Sequence, residues 1–194
     1  MIKREASVAR KTTETEINLF FRADGTGDME GSSGIGFLDH MLILFCKHGG
    51  FELQLKSEGD LQVDGHHTAE DIGLCLGEAF NKSLGDKCGL ERYGSVIMPM
   101  DETLIICAVD ISGRAGLYFD AGFLSDKIGD FDTELVKVFW DAFANSARST
   151  IHIRQIAAGN SHHVAEGIFK GMARALKSAV KITGEKLPSS KGVI

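Results

Sequence analysis

Apolar side chains recur along the chain with two different periods, which predict strands and helices. Residues 16–22 (EINLFFR) and 102–111 (ETLIICAVDI) are rich in the β-branched and aromatic residues of strands. Spacings of three and four instead predict two amphipathic helices, each opening on a His-His pair. The apolar face of the first helix carries Ala69, Ile72, Leu76, Phe80 and Leu84, and that of the second carries Ala165, Ile168, Phe169, Met172, Leu176 and Val180.

The same order of elements occurs twice. Residues 4–14 (REASVARKTTE) align with residues 92–102 (RYGSVIMPMDE), so that Arg, Ser, Val and the final Glu coincide. In each half a helix-like apolar segment, a strand-like segment and a His-His helix follow. We therefore predict a fused duplication, with a first repeat at 1–90, a second at 91–185 and a mobile tail at 186–194. The expected fold is α+β, with a four-stranded sheet in each half and two helices packed on one face of it.

Composition limits the partners. The 194 residues carry a net charge of -6, which is a poor match for nucleic acid or an anionic membrane surface. The apolar runs fall short of the roughly 18 residues that a membrane helix needs. We expect a cytoplasmic protein with reduced thiols, because the start of the chain lacks the apolar core of a signal peptide and its four cysteines show no CxxC spacing.

The two His-His-x-x-Glu motifs, in DGHHTAEDIG (64–73) and GNSHHVAEGIFKG (159–171), predict metal binding. Positions i and i+4 share a helix face, so the first histidine and the glutamate of each motif can reach one metal. The pairs in question are His66 with Glu70 and His162 with Glu166. Imidazole and carboxylate donors suit Mn, Fe, Co or Zn. Recurrence at equivalent positions favours metal binding over a chance surface feature.

The second histidines of the motifs, His67 and His163, point elsewhere on the helix. His67 can also approach Glu70 at i+3, so spacing alone leaves the pairing open. The segment FLDHMLILFCKHGG places His40 and His48 two turns apart on one predicted helix. His40 is a candidate metal ligand, and His48 is a candidate substrate contact.

Basic groups favour a phosphorylated substrate. Lys170 lies one turn beyond Glu166, on the stripe that faces the predicted metal. Arg92 and Arg114 lie near the start of the second half, and residues 189–191 (SSK) offer hydroxyls, amides and an ammonium. Together these groups suit a small phosphorylated ligand.

The chain resembles the imidazoleglycerol-phosphate dehydratase family in ARKTTETEI, GIGFLDHML, DGHHTAEDIG, ERYGSVIMPMDETL, VDISGR, GNSHHVAEGIFKGMARAL and PSSKG, in family order. The resemblance implies dehydration of imidazole glycerol phosphate to imidazole acetol phosphate. It also implies two Mn²⁺ ions per active site, sites built between subunits, and a shell of twenty-four subunits made from trimers. The implied metal ligands are His40, His66, His67, Glu70, His162, His163 and Glu166. The implied substrate contacts are Glu14, His48, Arg92, Arg114, Lys170, Ser189, Ser190 and Lys191.

Three carboxylates are candidates for the catalytic set. Glu14 is the leading candidate for acid–base work, whereas Glu70 and Glu166 are expected to be occupied by metal. Glu102 is the repeat equivalent of Glu14, and this equivalence makes it a candidate for the same function.

One position departs from the family pattern. Many members have a histidine at the repeat equivalent of His40, where this chain has Val138. Either His152, Glu134, another group or water completes that metal shell, or one metal binds more weakly. Two other functions compete with the dehydratase: a dinuclear metallohydrolase, and a non-catalytic shell assembled by metal.

Overall fold

Two four-stranded sheets enclose four helices in the computed structural model, which describes residues 3–194. In the first repeat the strands pair in the order β1-β2-β4-β3, with β3 parallel to β4 and the other pairs antiparallel. Its elements are β1 (Glu5–Lys11), β2 (Thr15–Arg22), β3 (Met29–Ser32), α1 (Gly36–Gly49), β4 (Glu52–Gly59) and α2 (His66–Ser83).

The second repeat has the same topology. Its sheet has the order β5-β6-β10-β7, and β7 is the parallel edge strand. Its elements are β5 (Tyr93–Met100), β6 (Thr103–Asp110), β7 (Gly116–Asp120), β8 (Lys127–Ile128), β9 (Phe131–Asp132), α3 (Leu135–Ala147), β10 (Thr150–Ala157) and α4 (Ser161–Ala179). The predicted duplicated α+β fold is confirmed. The short β8–β9 hairpin is an addition to the second repeat that the apolar pattern did not predict.

The helices of the two repeats pair crosswise. Helix α2 packs on α3, and α1 packs on α4, while α2 covers the first sheet and α4 covers the second. The buried ring of Trp140 on α3 contacts Phe45 of α1 and Phe169 of α4, with ring centroids 6.2 and 5.1 Å apart. One apolar core therefore joins both repeats, and it fixes α1 against α4.

Glycines allow α2 and α3 to approach backbone to backbone. A Cβ atom added at Gly73 would lie 2.6 Å from the carbonyl oxygen of Phe139, and one added at Gly77 would lie 2.5 Å from that of Phe143. Both distances are shorter than a carbon–oxygen contact allows. The two glycines therefore set the separation between the helices, and with it the position of the first turn of α2.

A buried carboxylate ties α2 to the first sheet. Asp71 accepts hydrogen bonds from the Arg10 guanidinium, at 2.8 Å, and from the Thr15 hydroxyl. Asp71 is 5% exposed, and a buried carboxylate is stable only when such donors surround it. These contacts lie one turn beyond the histidines of α2 and so hold the start of that helix in place.

The four cysteines are free thiols, and three of them are buried. No helix within residues 3–194 is both long and apolar enough to span a membrane.

Gly77→Ala is expected to destabilise the protein although alanine is the better helix former. The new methyl group would meet the Phe143 carbonyl, and overpacking of this kind costs about 1–3 kcal/mol. The matched control is Gly36→Ala in α1, where an added Cβ atom has open space and a gain of about 0.5–1 kcal/mol is expected. Denaturant midpoints of both variants check this, and equal shifts would contradict the close helix contact.

Candidate active site

Both His-His helices begin with the same backbone cap. Asp64 Oδ1 accepts a hydrogen bond from the His66 amide at 2.7 Å, and Asn160 Oδ1 accepts one from the His162 amide at 2.8 Å. In each pair the ring centroids are 6.2 Å apart, and the ring planes are nearly perpendicular, at 82° and 84°. The two imidazoles of a pair therefore face different surroundings, as the helical spacing predicts.

Three predicted metal ligands meet where α1 packs on α4. His40 Nε2 lies 2.8 Å and His162 Nε2 lies 3.4 Å from the same oxygen, Glu166 Oε1. One ligand atom from each of the three residues falls within 4.8 Å of the others, which is close enough to hold one ion. The ring of Phe37 packs against the His162 ring at 5.1 Å and orients it.

Glu166 is buried but ionised. Burial alone would raise the pKa of its carboxyl group, but hydrogen bonds from Lys170 and His40 outweigh burial and lower the pKa to about 2. The Lys170 ammonium donates to Glu166 Oε2 at 2.7 Å. The site thus presents an anionic ligand at neutral pH, and Lys170 contacts this ligand directly, a contact that the sequence did not predict.

A second group surrounds His67 at the start of α2. Its Nδ1 atom lies 3.0 Å from Asp60 Oδ2, and its Nε2 atom lies 3.9 Å from Glu14 Oε1. The hydrogen bond with Asp60 raises the pKa of His67. Sequence reasoning missed Asp60, because a single aspartate after a strand carries no recognisable pattern.

His66 and Glu70 form a more open pair than their repeat equivalents. Glu70 is exposed, and within residues 3–194 it makes neither an ion pair nor a side-chain hydrogen bond. The structure therefore does not bring His66 and Glu70 into the close contact seen between His162 and Glu166.

His163 lies beside two carboxylates in the turn between β5 and β6. Its Nδ1 atom is 3.0 Å from Glu102 Oε2, and its Nε2 atom is 3.8 Å from Asp101 Oδ2. Glu102 also accepts a hydrogen bond from the Asn160 amide at 2.6 Å. This backbone bond, with help from its own amide and from His163, lowers the pKa of Glu102 to about 2. Asp101, Glu102 and His163 form a second group that could hold an ion.

Among the predicted phosphate contacts, Arg92, Arg114 and the tail form a cluster separate from Lys170. The Arg92 guanidinium donates to Asp110 Oδ1 at 2.8 Å and to the Pro188 carbonyl at 2.7 Å. Arg114 is exposed, with its Nη2 atom 3.8 Å from Asp110 Oδ2. Arg92 thereby holds the start of the tail that carries residues 189–191. The two arginines and this tail lie together, as a shared phosphate site requires.

The arginine cluster and the metal ligands of one chain lie at opposite ends of α4. The Arg92 amide donates to the carbonyl of Ala179, the last residue of the helix, whereas His162 is its second residue. The 19 residues of α4 span about 27 Å at 1.5 Å per residue. A small substrate therefore cannot touch both clusters of the same chain.

Basic residues that form no ion pair within residues 3–194 surround His48. They line a cavity of about 470 Å³ formed by Lys47, His48, Arg174, Lys177, Ser178 and Lys181. Partial burial, followed by the charges of Lys170 and Arg174, lowers the pKa of His48. This surface favours an anion along the C-terminal half of α4, beyond Lys170.

A second cavity, of about 730 Å³, opens onto His40. Its walls include Phe37, the turn before α2 at Asp64 and Gly65, and the β8–β9 hairpin. The hairpin that the sequence did not predict therefore forms one wall of the space in front of a predicted metal ligand.

The structure separates the two candidates for the ligand that Val138 cannot supply. His152 is exposed and stacks on Tyr118 at 4.5 Å, and it points away from the helices because its neighbours on β10, Ile151 and Ile153, are fully buried in the core. It cannot complete the shell within its own chain. Glu134 precedes Val138 by four residues, lies on the same side of α3 and is exposed.

Comparisons with known proteins identify the family of the chain. The family model described as imidazoleglycerol-phosphate dehydratase matches residues 33–176. The imidazoleglycerol-phosphate dehydratase of Carboxydothermus hydrogenoformans is 55% identical over 98% of this chain and 100% of its own length. That of Caldicellulosiruptor saccharolyticus is 50% identical over the full length of both chains.

Solved structures of the same family have the same fold. The enzyme of this name from Staphylococcus aureus superposes with a TM-score of 0.84 at 41% identity, covering 92% of this chain and 99% of that one. The Pyrococcus furiosus protein superposes with a TM-score of 0.80 at 35% identity, covering 96% of this chain and all of its own. The resemblance drawn from the motifs is confirmed: the chain belongs to the imidazoleglycerol-phosphate dehydratase family.

Proposed function

We propose that this chain dehydrates imidazole glycerol phosphate to imidazole acetol phosphate, using Mn²⁺ in sites that form between copies of the chain. As a member of its family it is a hydro-lyase of histidine biosynthesis. The observation that carries the proposal is the cluster of His40, His162 and Glu166, because it gathers ligands from both repeats around one point.

The donor set fits a first-row divalent ion. Two imidazoles and an ionised carboxylate are the ligands that Mn²⁺ and its neighbours accept, and the three ligand atoms lie close enough to share one ion. His66, His67, Glu70 and His163 complete the proposed ligand set, which would hold two ions per active site. When bound, the ions would supply Lewis-acid stabilisation of the substrate's imidazole ring in its deprotonated form.

The length of α4 supports sites shared between chains. The helix that separates the metal ligands at its start from the arginine cluster at its end is about 27 Å long, so Arg92 and Arg114 would contact the phosphate from a chain other than the one that holds the ring. We propose an assembly of twenty-four subunits built from trimers, which brings the two ends of neighbouring chains together. Free cysteines and a biosynthetic role support a cytoplasmic location.

The reaction removes a hydroxyl group from the carbon next to the ring and a proton from the following carbon. This proton is not acidic in the substrate, since no carbonyl group lies beside it. Electrons of the deprotonated ring expel the hydroxyl, which takes up the proton that the ring has given up and leaves as water, and the neighbouring C–H then becomes acidic. Loss of that proton gives the enol, which rearranges to the ketone product.

Glu14 is proposed to move the proton. Its exposed carboxylate faces the Nε2 side of the His67 ring, so Glu14 lies next to one of the proposed metal ligands. A positioned carboxylate of this kind is a competent general base. Glu70 and Glu166 act as ligands, and Lys170 keeps Glu166 ionised.

The phosphate is proposed to be bound from two sides. Lys170 and His48 approach it from the chain that supplies the ring ligands, and Arg92, Arg114 and residues 189–191 approach it from another chain. Arginine gives paired hydrogen bonds to phosphate oxygens, and the tail adds hydroxyls and amides. This binding energy lies remote from the reacting carbons and holds them in place.

The direct test is an assay with imidazole glycerol phosphate and Mn²⁺, following both the enolisable product and free phosphate. The wild type is expected to form product without releasing phosphate. Glu14→Gln keeps the shape of the side chain but cannot take a proton, so kcat should fall by about 100–10,000-fold. Phosphate release would indicate a metallohydrolase, and a full-rate Glu14→Gln variant would exclude Glu14 as the base.

We also propose that the two metal positions are unequal. In the cluster of His40, His162 and Glu166, the Phe37 ring packs on the His162 ring. His40 lies one turn after Phe37 on α1 and forms a hydrogen bond with Glu166. On α3 Leu135 takes the place of Phe37, and its Cδ1 atom would be 3.0 Å from a Cβ added at Gly65, just before His66. Val138, one turn after Leu135, then stands over the first turn of α2 without a donor atom, and the exposed Glu134 is the nearest substitute on its helix.

Calorimetric titration of the free protein with Mn²⁺ should therefore show two affinity classes. Val138→His should tighten the weaker class by at least about tenfold, since even the loss of an outer partner of a ligand typically costs 10–100-fold in affinity. Val138→Leu is the matched control and should change neither class. A single class that Val138→His leaves unchanged would contradict the proposed gap in the shell.

A further inference from the structure

The second histidine of each motif is held by a carboxylate through the same ring atom. His67 Nδ1 lies 3.0 Å from Asp60, and His163 Nδ1 lies 3.0 Å from Glu102. The two carboxylates do not occupy equivalent positions in the repeats, since Asp60 follows β4 and Glu102 lies between β5 and β6. Each repeat has therefore reached the same local geometry with a different residue.

This geometry fixes which nitrogen each ring can offer to a metal. A carboxylate accepts a hydrogen bond, so Nδ1 must carry the hydrogen and Nε2 keeps its lone pair. In both rings Nε2 points away from the holding carboxylate, towards Glu14 for His67 and towards Asp101 for His163. Histidine ligands commonly depend on such an outer partner for their orientation.

The same contacts separate the roles of Glu14 and Glu102, although the two residues are repeat equivalents. Glu102 is engaged twice, by the Asn160 amide and by His163. Glu14 makes no side-chain hydrogen bond within residues 3–194, because Asp60 already holds His67. Only Glu14 is thus free to exchange a proton with a substrate.

We infer that Asp60 and Glu102 are positioning residues that present His67 and His163 to the metals through Nε2, and that Glu102 does not share the proton-transfer role of Glu14. This inference rests on the proposed metal-dependent dehydration. It assigns a function to Asp60, corrects the expectation for Glu102, and leaves a single proton-carrying carboxylate of this pair in each chain.

The test measures Mn²⁺ affinity from the electron paramagnetic resonance signal of the free ion. Asp60→Ala and Glu102→Ala should each weaken binding by about 10–100-fold. Asp60→Asn and Glu102→Gln should restore most of the affinity, because an amide oxygen still accepts the Nδ1 hydrogen bond. The control is Glu58→Gln, a neighbouring carboxylate that does not touch Nδ1, and it should bind as the wild type does. Asp101→Asn is a separate test of an ion held by Asp101 itself, because this carboxylate lies 3.8 Å from Nε2 of His163, and the inference predicts unchanged affinity for it.

Turnover measured in the same variants distinguishes positioning from proton transfer. Glu102→Ala should regain turnover as Mn²⁺ is raised, whereas Glu14→Gln should retain Mn²⁺ affinity and stay slow at every concentration. If Asp101→Asn bound Mn²⁺ as weakly as Glu102→Ala does, Asp101, Glu102 and His163 would bind an ion themselves. That result would overturn the inference.

Two further outcomes also overturn it: unchanged Mn²⁺ affinity in both alanine variants, or loss of turnover in Glu102→Gln at saturating metal with unchanged affinity. Absence of dehydration in the wild type would refute the proposed function, while the affinity series would still decide the role of Asp60 and Glu102.

Discussion

The length of one helix constrains the whole site. Helix α4 holds His162 and Glu166 at its start, and its last carbonyl anchors Arg92 at the other end. A straight helix of 19 residues keeps these ends about 27 Å apart, and the packed core on both sides prevents it from bending to join them. A small ligand held by His162 and Glu166 of one chain therefore cannot reach Arg92 of the same chain, and this separation is why we propose sites shared between chains.

Duplication explains the similarity of these parts, and divergence explains their inequality. The capping residues Asp64 and Asn160 start the two His-His helices in the same way. Around this common frame, α1 supplies His40 to α4, whereas α3 presents Val138 to α2. Because the helices pair crosswise, Val138 of the second repeat lies on the helix that packs against the His-His helix of the first, which is why we propose that the missing histidine weakens the metal position there.

The sequence alone predicts the helices that carry the His-His motifs and the duplicated fold. The apolar period of three and four located both His-His helices, and repetition of the motif at equivalent positions indicated a metal site and a duplicated fold. The family resemblance carried over the positions of the basic contacts. Such features are local or periodic, so a single sequence displays them.

Contacts between segments that are distant along the chain could not be predicted from the sequence. Asp60 reaches His67 only because β4 ends beside the start of α2, and the pairing of α2 with α3 depends on the close approach at Gly77. The β8–β9 hairpin is too short to show a period. The contacts of Glu102 could not be predicted for the same reason, because alignment of the repeats shows equivalence in sequence and not the partner that each side chain meets.

The most direct test of shared sites is complementation between two inactive variants. His162→Ala removes a proposed metal ligand, and Arg92→Ala removes a proposed phosphate contact at the far end of α4. The two variants are co-expressed with different tags, and particles that contain both chains are purified through both tags. About a quarter of the sites in these particles should be active, because random assembly of equal amounts pairs an intact ring-binding part with an intact phosphate-binding part that often. Mixed particles as inactive as the separate variants would show that each site lies within one chain, and would contradict the account.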